Sequence, residues 1–393
     1  MLDPAEVLSG SSGFSLTVTG TDFLTGATVT WDGADRATEY VSDSQVVATI
    51  LAADLAAPGT VSVRVRNPDP TAGASNELSF VIVSNVQSSD WTSRLSGMPY
   101  ALNDVIWDGS VFIAVGDRGA ILTSTNGADW ITRDSGTDVR LNAVAACGPD
   151  IMAVGDGYVV LLSTDHGDTW VTKVAASSSY SDVLAIACNS TQVVIGGVSY
   201  GLAAPFINIS EDRGDTWHYV GPWDPAKVAV PTDLIYSNGL FIAVTTRMDP
   251  GLNEPWIVLS SDGWSWNSIP VLDRPVDFYT IIHDGSRFII AGEYSTVLAS
   301  FDGFNWTELQ TPGVGVPYLS AAWTGSELVL AGGSGSQFEG PVGISSTDGG
   351  VTWYVFNIDG NYQSRGLAYG NGRLVSVGQL TPDLGDGAIY TAD

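Results

Sequence analysis

The sequence predicts an all-β protein in two parts, a small antiparallel β-sandwich over residues 1–84 and a seven-bladed β-propeller over residues 91–393, joined by a linker at 85–90. Three observations carry this. Residues 1–84 hold short runs of alternating apolar and polar residues separated by Gly, Pro and Asp/Asn turns. From Trp91 onward a unit of about 40–50 residues repeats, each copy reading as several strands rather than helices. The repeat is also split between the two ends of its domain, which closes the series on itself.

Composition agrees. The 45 glycines and 18 prolines among 393 residues argue against long helices, while a hydrophobic content of 44% is ample for packed cores. Fifteen Lys and Arg stand against 43 Asp and Glu, a formal charge of −28. Such a surface repels phosphate backbones and anionic bilayers, so neither a nucleic-acid partner nor membrane insertion is expected. The N-terminus, Met1-Leu-Asp-Pro-Ala-Glu6, has neither the basic start nor the apolar stretch of a secretory signal. Cys147 and Cys188 occupy the same register of neighbouring repeats, and equivalent points on adjacent repeats are expected to be too far apart for a disulfide. Two free thiols are the expectation.

In the first part the expected strands are Phe14–Val18, Ala27–Trp31, Val46–Leu51, Val61–Val65 and Leu78–Val83. Leu16-Thr-Val-Thr-Gly-Thr-Asp-Phe23, Gly26-Ala-Thr-Val-Thr-Trp-Asp-Gly33, Val41-Ser-Asp-Ser-Gln-Val46, Ala57-Pro-Gly-Thr-Val61 and Val65-Arg-Asn-Pro68 ahead of Ser75-Asn-Glu-Leu78 together resemble the IPT/TIG immunoglobulin-like domain. The opening strand of that family is here cut to Met1–Val7. A shortened first strand leaves a sheet edge that a partner chain can complete, or simply an exposed short edge.

In the second part the recurring Trp residues are 91, 130, 170, 217, 266, 306 and 353, and a last interval of 40 residues reaches the chain end. The first unit reads Leu102-Asn-Asp-Val-Ile-Trp107, Val111-Phe-Ile-Ala-Val-Gly116, Ala120-Ile-Leu-Thr-Ser124 and Trp130-Ile-Thr-Arg133, a four-stranded blade. The Trp91 strand has no third strand ahead of it, and Ala388–Thr391 has no Trp strand after it. Pairing these ends closes a ring of seven blades and removes the open sheet edges.

Between the third and fourth strands lies Ser-x-Asp/Asn-(x)-Gly-x-x-Trp. It pairs Asn126 with Trp130, Asp165 with Trp170, Asp212 with Trp217, Asp262 with Trp266, Asp302 with Trp306 and Asp348 with Trp353. The pattern resembles the Asp-box, or BNR repeat, of sialidases, sortilin-type receptors, xyloglucanases and photosystem assembly factors. An Asp or Asn side chain accepts hydrogen bonds from backbone N–H groups two or three residues on, Gly permits positive φ, and Trp folds back into an apolar slot. Asn126 serves as well as Asp, so the boxes are structural and not catalytic.

Function is therefore sought on the opposite face, where the second-to-third and fourth-to-first connections emerge. The second-to-third connections are expected to be long at Val198–Pro205, Thr246–Pro255, Gly333–Pro341 and Gln379–Gly387. Candidate ligand contacts there are Arg118, Arg140, Arg247, Arg274 and Arg365, whose guanidinium forks suit carboxylates. Tyr100, Tyr180, Tyr318 and Tyr362 share that face; packing explains the tyrosines as well as ligand stacking does, whereas Trp223 does not read as core. Oxygen-rich Asp383-Leu-Gly-Asp-Gly387 and Met248-Asp-Pro-Gly251 suit calcium only weakly, ordinary turns account for them, and no cofactor or metal is expected.

No acid and nucleophile pair for hydrolysis can be nominated. The Arg-Ile-Pro stretch of sialidases is replaced by Pro99-Tyr-Ala-Leu-Asn103 at the first blade. The expectation is a non-enzymatic binding or structural protein on a virion surface or otherwise extracellular. As a phage tail fibre, tail tip or capsid decoration, its sandwich would meet other virion proteins and its propeller a host-surface glycan or protein. The alternatives are a secreted or cell-surface glycan-active enzyme of sialidase-like type and a propeller assembly factor. All of these are analogies of fold rather than of chemistry.

Overall fold

The computed structural model describes residues 1–4, 6–8, 13–56, 59–68, 73–86, 91–175, 181–202, 204–221, 229–247, 256–312, 315–333, 342–358, 362–380 and 387–392. Every regular element among them is a strand or a single 3-10 turn. The chain forms two compact units, Met1–Gln87 with Ile344–Phe356, and Ser88–Gly343 with Asn357–Asp393.

The N-terminal residues form two facing sheets. One contains Leu2–Asp3, Phe14–Thr19, Gln45–Ile50 and Thr38–Ser42 in that order; the other runs from Ala34–Asp35 through Thr28–Trp31 and Gly59–Arg66 to Leu78–Val86. Alternation explains the arrangement: Leu16, Val18, Val46, Ala48, Ile50, Val61, Val63, Val65 and Phe80 all point into one core, with Trp31 tilted against Phe80 at 4.9 Å between ring centroids. The N-terminal strand does more than its length suggested. Leu2–Asp3 pairs antiparallel with Thr17–Val18, and Glu6–Leu8 then pairs in parallel with Val81–Val83 of the other sheet. A strand shared between two sheets covers part of each edge, so the cut opening strand leaves less edge exposed than expected. Leu78–Val86 also carries strand structure into residues expected to be linker.

The propeller has seven blades. Blade one is Leu102–Trp107, Phe112–Gly116, Ile121–Ser124 and Ile131–Arg133; blade two is Leu141–Cys147, Asp150–Gly155, Val160–Ser163 and Val171–Val174. Blade three is Ser181–Cys188, Val193–Ser199, Ala204–Ser210 and His218–Tyr219; blade four is Ala229–Ser237, Leu240–Arg247, Trp256–Ser260 and Asn267–Pro270. Blade five is Phe278–His283, Phe288–Gly292, Val297–Ser300 and Thr307–Glu308, and blade six is Tyr318–Trp323, Leu328–Gly332, Val342–Ser346 and Tyr354–Asn357. Blade seven joins Tyr362–Gly370, Arg373–Leu380 and Gly387–Ala392 to Thr92–Arg94 from the far end of the chain, with Thr92 opposite Thr391, Ser93 opposite Tyr390 and Arg94 opposite Ile389. The ring closes by pairing its terminal strands, as the split repeat predicts.

The second strands of four blades, Phe112–Gly116, Asp150–Gly155, Phe288–Gly292 and Leu328–Gly332, are buried along their whole length, and those of the other three are buried in the middle, because both faces meet neighbouring blades. Their closing glycine has a steric cause in six blades. A Cβ at Gly116, Gly155, Gly197, Gly292, Gly332 or Gly378 would stand 1.8–2.2 Å from a carbonyl oxygen at the start of the same blade's first strand. Blade four carries Thr245 there, opposite Pro231, and its hydroxyl donates to Trp256 O at 2.7 Å.

The thiols are not free. Cys147 and Cys188 form a disulfide, with Cα atoms 5.2 Å apart, between the ends of the first strands of blades two and three. The expectation failed because repeats in a propeller are not evenly spaced: first strands converge on the axis while fourth strands diverge. Equivalent positions near the axis fall within the span of a disulfide.

Candidate functional site

The six repeated hairpins have the geometry that their residue types imply. In each the Ser hydroxyl donates to the Asp or Asn side chain at 2.8–3.1 Å, from Ser124 to Asn126 through Ser346 to Asp348. The acceptor then takes backbone N–H groups further on, Ala128 and Asp129 for Asn126, and Phe304 and Asn305 for Asp302. Trp130, Trp170, Trp266 and Trp306 donate their indole N–H to the hairpin glycine's carbonyl at 2.8–3.0 Å. The indole N–H groups of Trp217 and Trp353 are buried without a partner. In the longer copies the added residue takes positive φ: His166 at 58°, Arg213 at 61° and Gly349 at 77°.

These bonds fix the electrostatics. The Thr169 hydroxyl and amide hold Asp165 down to about 2, and the corresponding Thr216 groups hold Asp212 down to about 2. Backbone bonds from Asn305 and Ser265 lower Asp302 and Asp262. A carboxylate this stable as an anion is a poor general acid. Hairpins also tie blades together: His166 Nδ1 meets Asp108 Oδ2 at 2.7 Å, Arg213 pairs with Asp150, and Arg373 donates to Asn126 O at 2.8 Å.

The opposite end of the propeller holds the chemistry. Each first strand carries a β-bulge at the same register, shifting its pairing with the second strand by one residue. The seven residues so inserted, Asn103, Asn142, Leu184, Thr232, Tyr279, Leu319 and Arg365, all line a central cavity of about 370 Å³. A bulge re-aims a side chain without breaking the sheet, and here it turns one residue per blade toward the axis. Below this ring the walls are aliphatic, with Ile106, Val144, Ile186, Leu234, Ile281 and Leu367.

Several ring residues also latch one blade to the next. The Asn103 amide N–H₂ donates to Leu141 O at 2.9 Å and to Asp117 Oδ1 at 3.0 Å. Asn142 does the same toward Val183 O and Asp156 Oδ1, and the Thr232 hydroxyl reaches Phe278 O at 2.8 Å. One residue further on, Asp104 accepts the N–H of Val144 at 2.9 Å and Asp233 accepts that of Ile281 at 2.8 Å. Burial pushes Asp104 up to about 7, with the Asp233 charge adding to it, and pushes Asp233 up to about 6.

The candidate arginines separate into two groups. Arg247 is consumed by Asp277 at 2.8 Å and Glu293 at 3.3 Å, and Arg274 by both oxygens of Glu308. Neither has a fork free for a ligand. Arg118, Arg140 and Arg365 gather instead around blades seven, one and two. Arg365 donates to Asn103 Oδ1 at 2.6 Å and Arg140 to the same oxygen at 3.3 Å, while Arg140 Nε lies 3.2 Å from Asp117. Burial lowers the Arg365 pKa, and the neighbouring Arg140 charge lowers it further. Among the described residues neither Arg365 nor Arg118 makes an ion pair. Arg118, in positive φ at 54°, lies over the exposed Tyr100 ring at 5.2 Å.

Tyr318 and Tyr362 are fully buried, and Tyr362 hydrogen-bonds Ser376 at 2.8 Å, so both are core residues and not ligand contacts. Tyr180 and Trp223 lie outside the described residues, as do most of the loops at 246–255, 333–341 and 379–387 and the oxygen-rich stretches within them. The stretch at 198–205 is less of a loop than expected, since Val198 pairs with Pro205 and Ser199 with Ala204. Among the described residues no group of three or more His, Cys, Asp and Glu is placed to hold a metal ion.

Residues 3–82 match the IPT/TIG domain family. No curated protein matches the chain. Similar solved structures include YCF48 bound to D1 peptide, 18% identical over 77% of this chain and 94% of that chain with a TM-score of 0.58. They also include YCF48 from Cyanidioschyzon merolae, 15% identical over 77% of this chain and 98% of that chain with a TM-score of 0.56. At such identities the likeness is one of propeller fold.

Proposed function

We propose that this is a non-enzymatic binding and display protein whose propeller presents the channel mouth, centred on Arg118, Arg140 and Arg365 beside Tyr100, to an acidic group on a macromolecular partner. The observation that carries the reading is the unequal use of charge on this face. Arg247 and Arg274 are spent on internal carboxylates, whereas Arg365 converges with Arg140 on a neutral amide oxygen and, among the described residues, meets no carboxylate of its own. Guanidinium groups held by an amide are prepared for an anion from outside. A propeller of similar fold has been solved with a peptide bound, which supports a protein partner in general.

In this reading the six hairpins are Asp-boxes in a purely structural role and the IPT/TIG domain is the attachment module. The acidic, lysine-poor composition suits the exterior of a particle, so the setting proposed is a phage virion, with the propeller directed at a host-surface protein or glycan.

The test has two parts. Antibodies against the chain are applied to purified particles, and the full chain and its Arg365→Ala variant are applied to a glycan array and to immobilised host envelope proteins. Detection in particles together with binding that the variant loses is the expected result. Absence from particles overturns the virion setting. Release of sugar from any arrayed glycan overturns the non-enzymatic reading.

A further inference from the structure

Among the described residues, the central cavity holds ionisable groups of both kinds, acidic and basic, without ion-pair partners. Arg365 enters it from blade seven without an ion pair among the described residues. Asp104 and Asp233 line it from blades one and four, three blades apart around the ring, and among the described residues neither makes an ion pair. Asp104 accepts the backbone N–H groups of Val105 and Val144, and Asp233 those of Leu234 and Ile281 together with the Thr280 hydroxyl. Burying ionisable groups without partners of opposite charge is costly, and perturbed acidic and basic groups in one cavity mark a candidate binding site. The positive and negative groups do not cancel one another, since Arg365 makes contact with Asn103 and not with either aspartate. The walls also carry aliphatic side chains, Ile106, Ile186, Leu234 and Ile281, beside the polar Thr232, Thr280 and Ser320. A volume of about 370 Å³ lies within the range of small-molecule sites.

We propose that the propeller channel binds a small zwitterion of the amino-acid type, its carboxylate on the Arg365 guanidinium, its ammonium at Asp104 or Asp233, and an aliphatic body against the walls between them. This site shares Arg365 with the display reading, but the aspartates belong to the cavity alone, whereas the display reading rests on Arg118, Arg140 and Tyr100 at the mouth and on a macromolecular partner. Either reading can fail without the other. A simple fatty acid satisfies Arg365 and leaves the aspartates alone; a simple amine does the reverse. Only a molecule with both groups meets Arg365 and an aspartate together, and the raised pKa values of Asp104 and Asp233 are what buried carboxylates lacking a cation show.

The experiment is calorimetric titration of the full chain at neutral pH with leucine, 6-aminohexanoate, hexanoate and hexylamine. At least one zwitterion is expected to bind roughly tenfold or more tightly than both singly charged probes, because a site built for a polar group rejects the analogue lacking it. Arg365→Gln is expected to abolish binding of the zwitterion and of hexanoate. The Asp104→Asn/Asp233→Asn double variant is expected to bring the zwitterion down to the level of hexanoate. Asn keeps one of the two acceptor oxygens, which suffices for the N–H of the neighbouring blade, and an unfolding midpoint no lower than the parent's checks that the blade contacts survive. No heat with any probe, hexanoate binding as tightly as the zwitterions, or a double variant that binds them undiminished would each overturn the proposal.

Discussion

Arg94 donates from its Nε to the Thr391 hydroxyl at 2.9 Å, joining residues separated by 297 positions in the sequence. The contact lies on the seam of the ring, where Arg94 stands opposite the fully buried Ile389, and beside Tyr390, whose ring is tilted against Tyr362 at 4.6 Å between centroids. A propeller without this seam would present two unpaired strand edges, the arrangement that β proteins avoid.

Stability therefore depends on the last strand. Ile389→Ala removes a fully buried side chain from the cluster of Leu102, Val375 and Val377, and is expected to cost about 2–5 kcal/mol. Urea unfolding followed by tryptophan fluorescence measures it. A loss no larger than that of an exposed substitution such as Val171→Ala would mean that the seam does not hold the ring.

The disulfide makes a second stabilising link. Cys147 and Cys188 close a loop of 41 residues, for which chain entropy gives about 4 kcal/mol. The Cys147→Ser/Cys188→Ser variant is expected to unfold at lower urea than the parent, and reductant is expected to move the parent toward the variant while leaving the variant unchanged. Equal midpoints in all conditions would show that the bond contributes nothing.

Close approach at the blade starts is a third test. A Cβ at Gly332 would stand 1.8 Å from the Pro317 carbonyl oxygen, so Gly332→Ala must displace backbone. An expected loss of about 1–3 kcal/mol, seen as a lower unfolding midpoint, follows from overpacking. Gly325→Ala is not a control, because its φ of 96° strains any side chain; Gly201→Ala, where a Cβ meets nothing within 4 Å and φ is not positive, serves instead. A neutral Gly332→Ala would contradict the close approach.

Acidity acts in two opposite directions. Asp165 and Asp212 have folded values near 2, below the ordinary aspartate value of about 3.9, so their contribution is complete above about pH 4 and is lost as the pH falls through about 2. Asp104 and Asp233 are raised to about 7 and about 6, so the folded chain keeps protons that the unfolded chain releases from about pH 4 upward. Stability from these two groups declines as pH rises from about 4 to about 7. The thermal midpoint of the parent is expected to fall across that window, and that of Asp104→Asn/Asp233→Asn to stay flatter. Superimposable profiles would contradict the assignment.

Much of the architecture is legible in the residues themselves. Trp at regular intervals, Gly before each short turn and Ser-x-Asp ahead of it are local signals, and they act through local geometry, as the Ser163, Asp165, Gly167 and Trp170 bonds show. The candidate site was legible only in outline. Arg365 and Arg140 stand out as scarce cations, yet nothing local separates them from Arg247 and Arg274, whose carboxylate partners Asp277, Glu293 and Glu308 become neighbours only when strands and blades assemble. Asn103, Asn142, Thr232 and Tyr279 carry no signal as a group until each first strand is paired with its second and the extra residue is seen.

The sequence by itself determined an all-β chain with a sandwich ahead of seven blades, and that the ring closes between Trp91 and the chain end. These follow from alternation, turn chemistry and a repeat period, all properties of short segments. Tertiary structure alone decided which residue of each first strand bulges toward the axis, that Cys147 meets Cys188, and that Tyr318 and Tyr362 turn inward. Around a ring, distances between equivalent residues depend on their radius from the axis, and radius is a property of the assembled blades that no single segment encodes.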